Sequence, residues 1–186
     1  LPILKIEDLK WIRLLYCYPK RFTDELLNFM ATEPKICKYI DLPLQHAHND
    51  VLKAMARQDT KEEIEDLLLR IRKIMPTATI RTSFIVGFPG ESIEHYETLK
   101  EFIIKQRFDK VGIFTYSKEE DTVAFTMEQQ VSEEIKQERY HELMAIQSKI
   151  SEEINQSLED QELEVLIEGR DSEQENVTYG RSYREA

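Results

Sequence analysis

A chain of 186 residues, 41% of them hydrophobic, can bury one substantial core with a small second unit attached, which excludes a disordered tail. Its net charge of -11 argues against an unaided grip on nucleic-acid phosphates, because that affinity comes largely from Lys and Arg displacing counterions; direct nucleic-acid binding is not expected beyond a local basic patch. No apolar run approaches the roughly 20 residues of a membrane span and no signal-peptide pattern is present, so a cytoplasmic protein with no membrane partner is expected.

The opening stretch, LPILKIEDLK, has no capped beginning and runs into Trp11 to Pro19, whose composition favours a strand, so the chain is expected to open within a domain. Thr23 can cap a helix from about Asp24 to Ala31, with Leu26, Leu27 and Met30 turned inward. Tyr39 to Pro43 reads as a second strand leading into Leu44-Gln45-His46-Ala47-His48, and Pro43, which has no N–H to donate, is expected to end its pairing. Asn49 is the expected cap of a short helix from Asp50 to Arg57. Thr60-Lys61-Glu62-Glu63 is a capping box, in which hydroxyl and carboxylate each satisfy a free amide; the helix it opens runs to about Met75 before Pro76 stops it.

Thr79 to Val86 is a short apolar, β-branched and aromatic run bounded by Gly and Pro, the pattern of a buried parallel strand. A helix from Ile93 to Gln106 and a strand from Lys110 to Tyr116 follow. After a loop, a long helix from Ser132 to Leu158 shows one apolar face. This alternation with short connections predicts parallel βαβ units in an α/β fold. From Glu162 the pattern changes to Leu163 to Gly169 and Asn176 to Ser182, expected strands of a small antiparallel unit that the chain ends too soon to close. The expected divisions are 1–130, 131–160 and 161–186.

The chemistry is expected at Gly87-Phe88-Pro89-Gly90-Glu91, because ligands in α/β sheets and barrels sit where strand C-termini pass into βα loops. The same glycines also fit a plain tight turn. Cys17 and Cys37, 20 residues apart with no His at ligand spacing, define neither a disulfide framework nor a metal site, and read as small residues near strands.

Phe84-Ile85-Val86-Gly87-Phe88-Pro89-Gly90-Glu91 resembles the strand-and-loop motif that borders the adenosyl cofactor in radical S-adenosylmethionine enzymes. Tyr39-Ile40-Asp41-Leu42-Pro43-Leu44-Gln45-His46, Lys110 to Glu120 and Gly180 to Ala186 extend the likeness, over nearly all of Trp11 to Ala186, to the RimO-type methylthiotransferase family. The tRNA-modifying MiaB relatives more often read Pro-Val-Gln-Ser-Gly after the second strand and Arg-Pro where Glu119-Glu120 stand. One departure is Asp121, where the family usually has Gly.

The resemblance implies a partial TIM-type barrel completed by upstream strands, a connecting helix, and the start of a TRAM-like small β-barrel. It implies S-adenosylmethionine as cofactor and two [4Fe-4S] clusters whose cysteines are outside this chain. One cluster reduces the cofactor to a 5′-deoxyadenosyl radical; the other is involved in sulfur delivery. The implied reaction adds a methylthio group to the β-carbon of an aspartate in the twelfth small-subunit ribosomal protein, the expected partner, and this stretch alone is expected to be inactive. The alternatives are a MiaB-like tRNA methylthiotransferase and a cluster-free, ribosome-associated binding module.

For the cofactor, Val86, Gly87, Phe88, Pro89 and Gly90 offer main-chain amides with apolar flanks, as an adenine plate requires. Gln45 follows a strand end, Arg81 and Ser83 alternate along the central strand, and Tyr116 ends the next; these complete the expected cofactor contacts. His46 has two readings, a substrate contact or a hydrogen-bonded structural histidine. Glu119 and Glu120 would attract a basic substrate, or are simply a solvated loop.

Overall fold

The computed structural model describes residues 2–172, 174 and 176–185; Ala186 of the last motif is outside the described residues. Its frame is a parallel sheet of β1 (Ile12–Leu14), β2 (Ile36–Gln45), β3 (Thr79–Val86) and β4 (Lys110–Thr115), side by side in chain order. The crossovers carry α1 (Asp24–Thr32), α2 (Asn49–Ala54), α3 (Lys61–Ile74) and α4 (Ile93–Gln106). A sheet laid down in sequence order by βαβ units is the arc of a TIM-type barrel, in line with the expected α/β fold.

Local chemistry sets the element starts. Thr23 Oγ1 accepts from Leu26 N at 3.2 Å to cap α1. Thr60 and Glu63 form the reciprocal capping box of α3, and Ser92 and His95 form a second one on α4. Along β3 the period of two divides the side chains. Ile80, Thr82, Phe84 and Val86 enter the core, joined by Leu27, Met30, Ile64, Leu68, Leu99 and Phe102 from the helices, while Arg81, Ser83 and Ile85 stay half-buried on the opposite face. Phe84 meets Phe102 and Phe108 edge to face, with centroids 6.3 and 5.9 Å apart.

The long helix α5 (Glu133–Gln156), capped by Ser132, lies across β4, β3 and α4. Its Leu143 and Ile150 join the core, and Gln147 donates to the Phe108 carbonyl at 2.9 Å. Beyond it β5 (Val165–Arg170) and β6 (Thr178–Ser182) form an antiparallel hairpin with Val165, Leu166 and Ile167 exposed. Arg13 of β1 donates to the Ser182 and Tyr183 carbonyls, and Arg184 pairs with Asp109, which fixes the hairpin's end to the sheet. No helix among the described residues is long and apolar enough to cross a membrane.

The structure differs from the sequence reading at three places. β1 is only three residues long, not a strand from Trp11 to Pro19. Pro43 does not end β2. The strand continues to Gln45, and the ladder with β3 shifts between Leu42 and Gln45, a bulge where a residue without an N–H costs no regular bond. His48, not Asn49, caps α2, its Nδ1 accepting from Asp50 N at 3.2 Å; Asn49 instead accepts from Lys61 N at 2.7 Å and ties α2 to α3.

Candidate functional site

The turn after β3 has two left-handed residues, Gly87 (φ +75°) and Gly90 (φ +83°), conformations that favour glycine. Glu91 N donates back to the Phe88 carbonyl at 2.9 Å and Gly90 N to the Gln129 carbonyl at 3.0 Å. Beneath the turn is the Glu91 carboxylate, 4% exposed, whose Oε2 accepts from Gly87 N. Arg139 of α5 is 3.3 Å from that oxygen and also donates to the Glu91 carbonyl at 3.1 Å. A second α5 side chain closes the other side. Lys136 donates to the Tyr116 carbonyl at 3.0 Å, and a Cβ built on Gly87 would collide with its Cγ. The turn is thus held by a buried ion pair and a close backbone approach, both supplied by one helix.

On the open face of the sheet, at the carboxyl ends of the strands, lies a cleft of about 840 Å³. Gln45, Arg81, Ser83, Phe88 and Tyr116 line it, with Tyr16 at its edge. Arg81 donates to Asp41 Oδ1 at 3.0 Å, and Asp41, 1% exposed, holds Tyr16 N through Oδ2 at 3.0 Å. Tyr16 (φ +54°) and Gln45 (φ +73°) are both non-glycine residues in the left-handed region, a strain of about 1–3 kcal/mol each that the surrounding contacts must hold. Tyr116 packs edge to face on Phe88 at 5.3 Å, and its hydroxyl, out of contact with solvent, has no protein partner.

Of the expected cofactor contacts, the structure therefore brings together Gln45, Arg81, Ser83, Phe88 and Tyr116. Val86 faces the core, Gly87 and Pro89 are buried, and Gly90 is half-buried at the turn; none of the four lines the cleft. The reading of His46 as a substrate contact is corrected. Its side chain is fully buried, Nδ1 accepts from His48 N at 3.0 Å, and Nε2 is 3.6 Å from Glu91 Oε1, so it supports the underside of the turn. Glu119 and Glu120 are exposed and outside the cleft, Glu119 accepting from Ser117. Sequence reasoning passed over Tyr16, Arg57 and Met55, which also line the cleft. For Tyr16 the signal was available: it follows β1 as Gln45 ends β2 and Tyr116 follows β4.

A ligand with a flat apolar body and polar edges fits this cleft. Phe88, Ile85 and Phe114 offer apolar surface, while Gln45, Arg81, Ser83 and the orphan Tyr116 hydroxyl offer polar atoms, a set suited to S-adenosylmethionine. An iron–sulfur cluster does not fit the chain's thiols. Cys17 and Cys37 are two free cysteines, where a cluster takes three or four, and burial pushes both thiols up, away from the thiolate that ligates iron.

The model of the Radical SAM superfamily matches residues 3–103. A protein of Desulforamulus reducens named ribosomal protein uS12 methylthiotransferase RimO is 51% identical over 181 residues, covering 97% of this chain and 41% of that protein. One of the same name from Heliobacterium modesticaldum is 49% identical over 184 residues, covering 99% and 40%. The chain so spans about two fifths of the length of the curated relatives it matches. Among solved structures, coproporphyrinogen III oxidase (HemN) from Escherichia coli, described as a Radical SAM enzyme, superposes with a TM-score of 0.62 at 18% identity over 75% of this chain and 32% of that one, a likeness of fold. With a family model over more than half of its length, the chain belongs to the Radical SAM superfamily, and the RimO proteins are relatives that share about half of its residues.

Proposed function

We propose that this chain is the cofactor-facing barrel portion of a RimO-type methylthiotransferase, which replaces a C–H bond on an aspartate side chain of ribosomal protein uS12 by a C–S bond to a methylthio group. The observation that carries the reading is the cleft at the strand ends, where Gln45, Arg81, Ser83, Phe88 and Tyr116 converge. In it, Phe88 and Ile85 flank the adenine, and Ser83, Gln45 and the Tyr116 hydroxyl hydrogen-bond its polar edges and the ribose. Arg81, held by Asp41, orients the polar end of the ligand. S-adenosylmethionine bound there, beside a cluster held by another part of the protein, supplies the radical chemistry of the superfamily. The turn Val86 to Gly90 presents Phe88 to the ligand and is held from below by Glu91 and Arg139. Glu119 and Glu120 border the approach of a basic protein substrate in the cytoplasm, and the hairpin from Val165 begins a small TRAM-like domain.

The test is mass spectrometry of uS12 and of tRNA after incubation with the cluster-reconstituted parent protein and S-adenosylmethionine. Modification of the aspartate, abolished by an Arg81→Ala/Ser83→Val double change, is expected. Modification of tRNA alone transfers the assignment to the MiaB class, and modification of neither leaves the binding-module alternative.

A further inference from the structure

Two histidines stand face to face outside the cleft, with side chains that do not touch Glu91; His48 meets the Glu91 network only through its backbone N, which donates to His46 Nδ1. His48 at the start of α2 and His95 in the first turn of α4 have ring centroids 4.1 Å apart and planes tilted by 35°. The Asp50 carboxylate reaches both, with Oδ2 3.9 Å from His48 Nδ1 and 4.0 Å from His95 Nε2. One ligand atom from each of the three residues lies within 4.8 Å of the other two. Ligand bonds of about 2 Å to a shared ion need atoms about 3–4 Å apart, so modest side-chain rotation closes the set. We infer that His48, Asp50 and His95 form a site for one borderline divalent cation of the Zn²⁺ kind. Two imidazole nitrogens and one carboxylate oxygen select such an ion over Mg²⁺ or Ca²⁺, which prefer oxygen alone. The Asp50 side chain, 79% exposed, leaves one side open for water as a fourth ligand.

Helix capping accounts for only part of this arrangement. Each ring accepts from a backbone amide through Nδ1, His48 from Asp50 at 3.2 Å and His95 from Ser92 at 3.3 Å, and a hydroxyl or amide side chain would cap as well. Capping requires neither that the rings approach one another nor that Asp50 bridge them. Those bonds do place the imidazole proton on Nε2. Coordination through His48 Nδ1 gives up the Asp50 amide bond, and coordination through His95 Nε2 moves its proton to Nδ1 and gives up the Ser92 bond, so two long hydrogen bonds are exchanged for ligand bonds. The neutral ring is available for this. Burial first, then His95, His46 and Lys61, hold His48 below the usual imidazole range against the opposing pull of Asp50. The positive ends of two helices oppose a cation, which makes the Asp50 charge the offsetting group.

The ion would join the connection after β2, which carries Gln45, to the first turn of α4, which follows the Gly87 to Glu91 turn. The site stands whether or not the cleft binds S-adenosylmethionine. Its test is calorimetric titration of the chelator-treated 186-residue chain with Zn²⁺ alone. The expected result is one ion per chain, weakened at least tenfold by His48→Asn and by His95→Gln, which keep side chains able to cap, and weakened less by Asp50→Asn. In the unaltered chain, Zn²⁺ should shift the NMR ring signals of His48 and His95 and leave those of His141 in place, a readout that needs no variant to fold. Absence of stoichiometric binding, undiminished affinity in the His48→Asn/His95→Gln double variant, or ring shifts confined to other histidines would each overturn the site.

Discussion

On β3 the side chains of Ile80, Thr82, Phe84 and Val86 are at most 2% exposed against the helices, whereas Arg81, Ser83 and Ile85, each one residue along, remain half-buried beside the cleft. A single strand thus separates two kinds of work by its period of two. The helix-side face is apolar and filled, as a face that supplies folding energy must be. The cleft-side face keeps the Arg81 guanidinium, paired with Asp41, and the Ser83 hydroxyl beside the Tyr116 hydroxyl, which has no protein partner. The Glu91 turn at the strand's end belongs to both, built below like a core and open above.

The sharpest way to break the comparison is Phe84→Ala. Phe84 is fully buried between two other phenylalanines, so truncation leaves a cavity and should cost about 4 kcal/mol in urea unfolding. A loss under about 1 kcal/mol would mean that this face is not the core. Next is Glu91→Gln, which leaves Arg139, its side chain 9% exposed, without its buried counter-charge and should cost about 3 kcal/mol. An unchanged unfolding midpoint would show that α5 does not hold the turn. Gly87→Ala should cost about 2 kcal/mol, from φ +75° and from the Lys136 Cγ with which a Cβ would collide. The Lys136→Ala background separates the two causes, since it removes the Cγ and Cδ that collide, keeps only the Cβ at 3.3 Å, and leaves the dihedral.

What could be read from the sequence was local. The Thr60–Glu63 capping box, the bounds of α4 and β3, and the two glycines of the turn all follow from neighbouring residues, and each is found where expected. What escaped depends on partners far along the chain. Arg139 meets Glu91 from 48 residues away, and Asp41 fixes both Tyr16 and Arg81 across two strand pairs. Pro43 was misleading because its cost depends on whether a ladder bond falls on its nitrogen, which only the bulge in β2 decides. His46 follows a strand end just as a cleft residue does, and its burial became readable only once Glu91 was placed beside it.

A smaller effect tests the seam between α4 and α5. The Tyr96 hydroxyl donates to Glu142, and this bond first, then Lys100, holds the Glu142 carboxyl below its usual range. A carboxylate depressed on folding contributes stability above its unfolded pKa, and that contribution is lost as pH falls through the lowered value. Glu142 is largely solvated, so Tyr96→Phe should cost no more than about 1 kcal/mol at neutral pH. In urea titrations across the acid range, the difference from the unaltered chain should shrink toward zero as pH falls. A difference constant with pH would show that the hydroxyl acts through packing and not through the carboxylate.

The smallest stability effect belongs to the cleft face. Ser83 makes no hydrogen bond to another side chain among the described residues and lies half-buried on β3 beside Arg81 and Gln45, so Ser83→Ala removes a hydroxyl without opening a core cavity. The unfolding midpoint should move by no more than about 0.5 kcal/mol. If the hydroxyl serves a ligand, affinity for S-adenosylmethionine in the cluster-loaded parent protein should fall about tenfold, the worth of one hydrogen bond of about 1.4 kcal/mol. Thr82→Val on the other face, one residue away and 1% exposed, should do the reverse, changing stability while leaving that affinity alone. If both substitutions altered stability and affinity together, the strand would not divide its work by face, and the cleft would have to be read as an extension of the core.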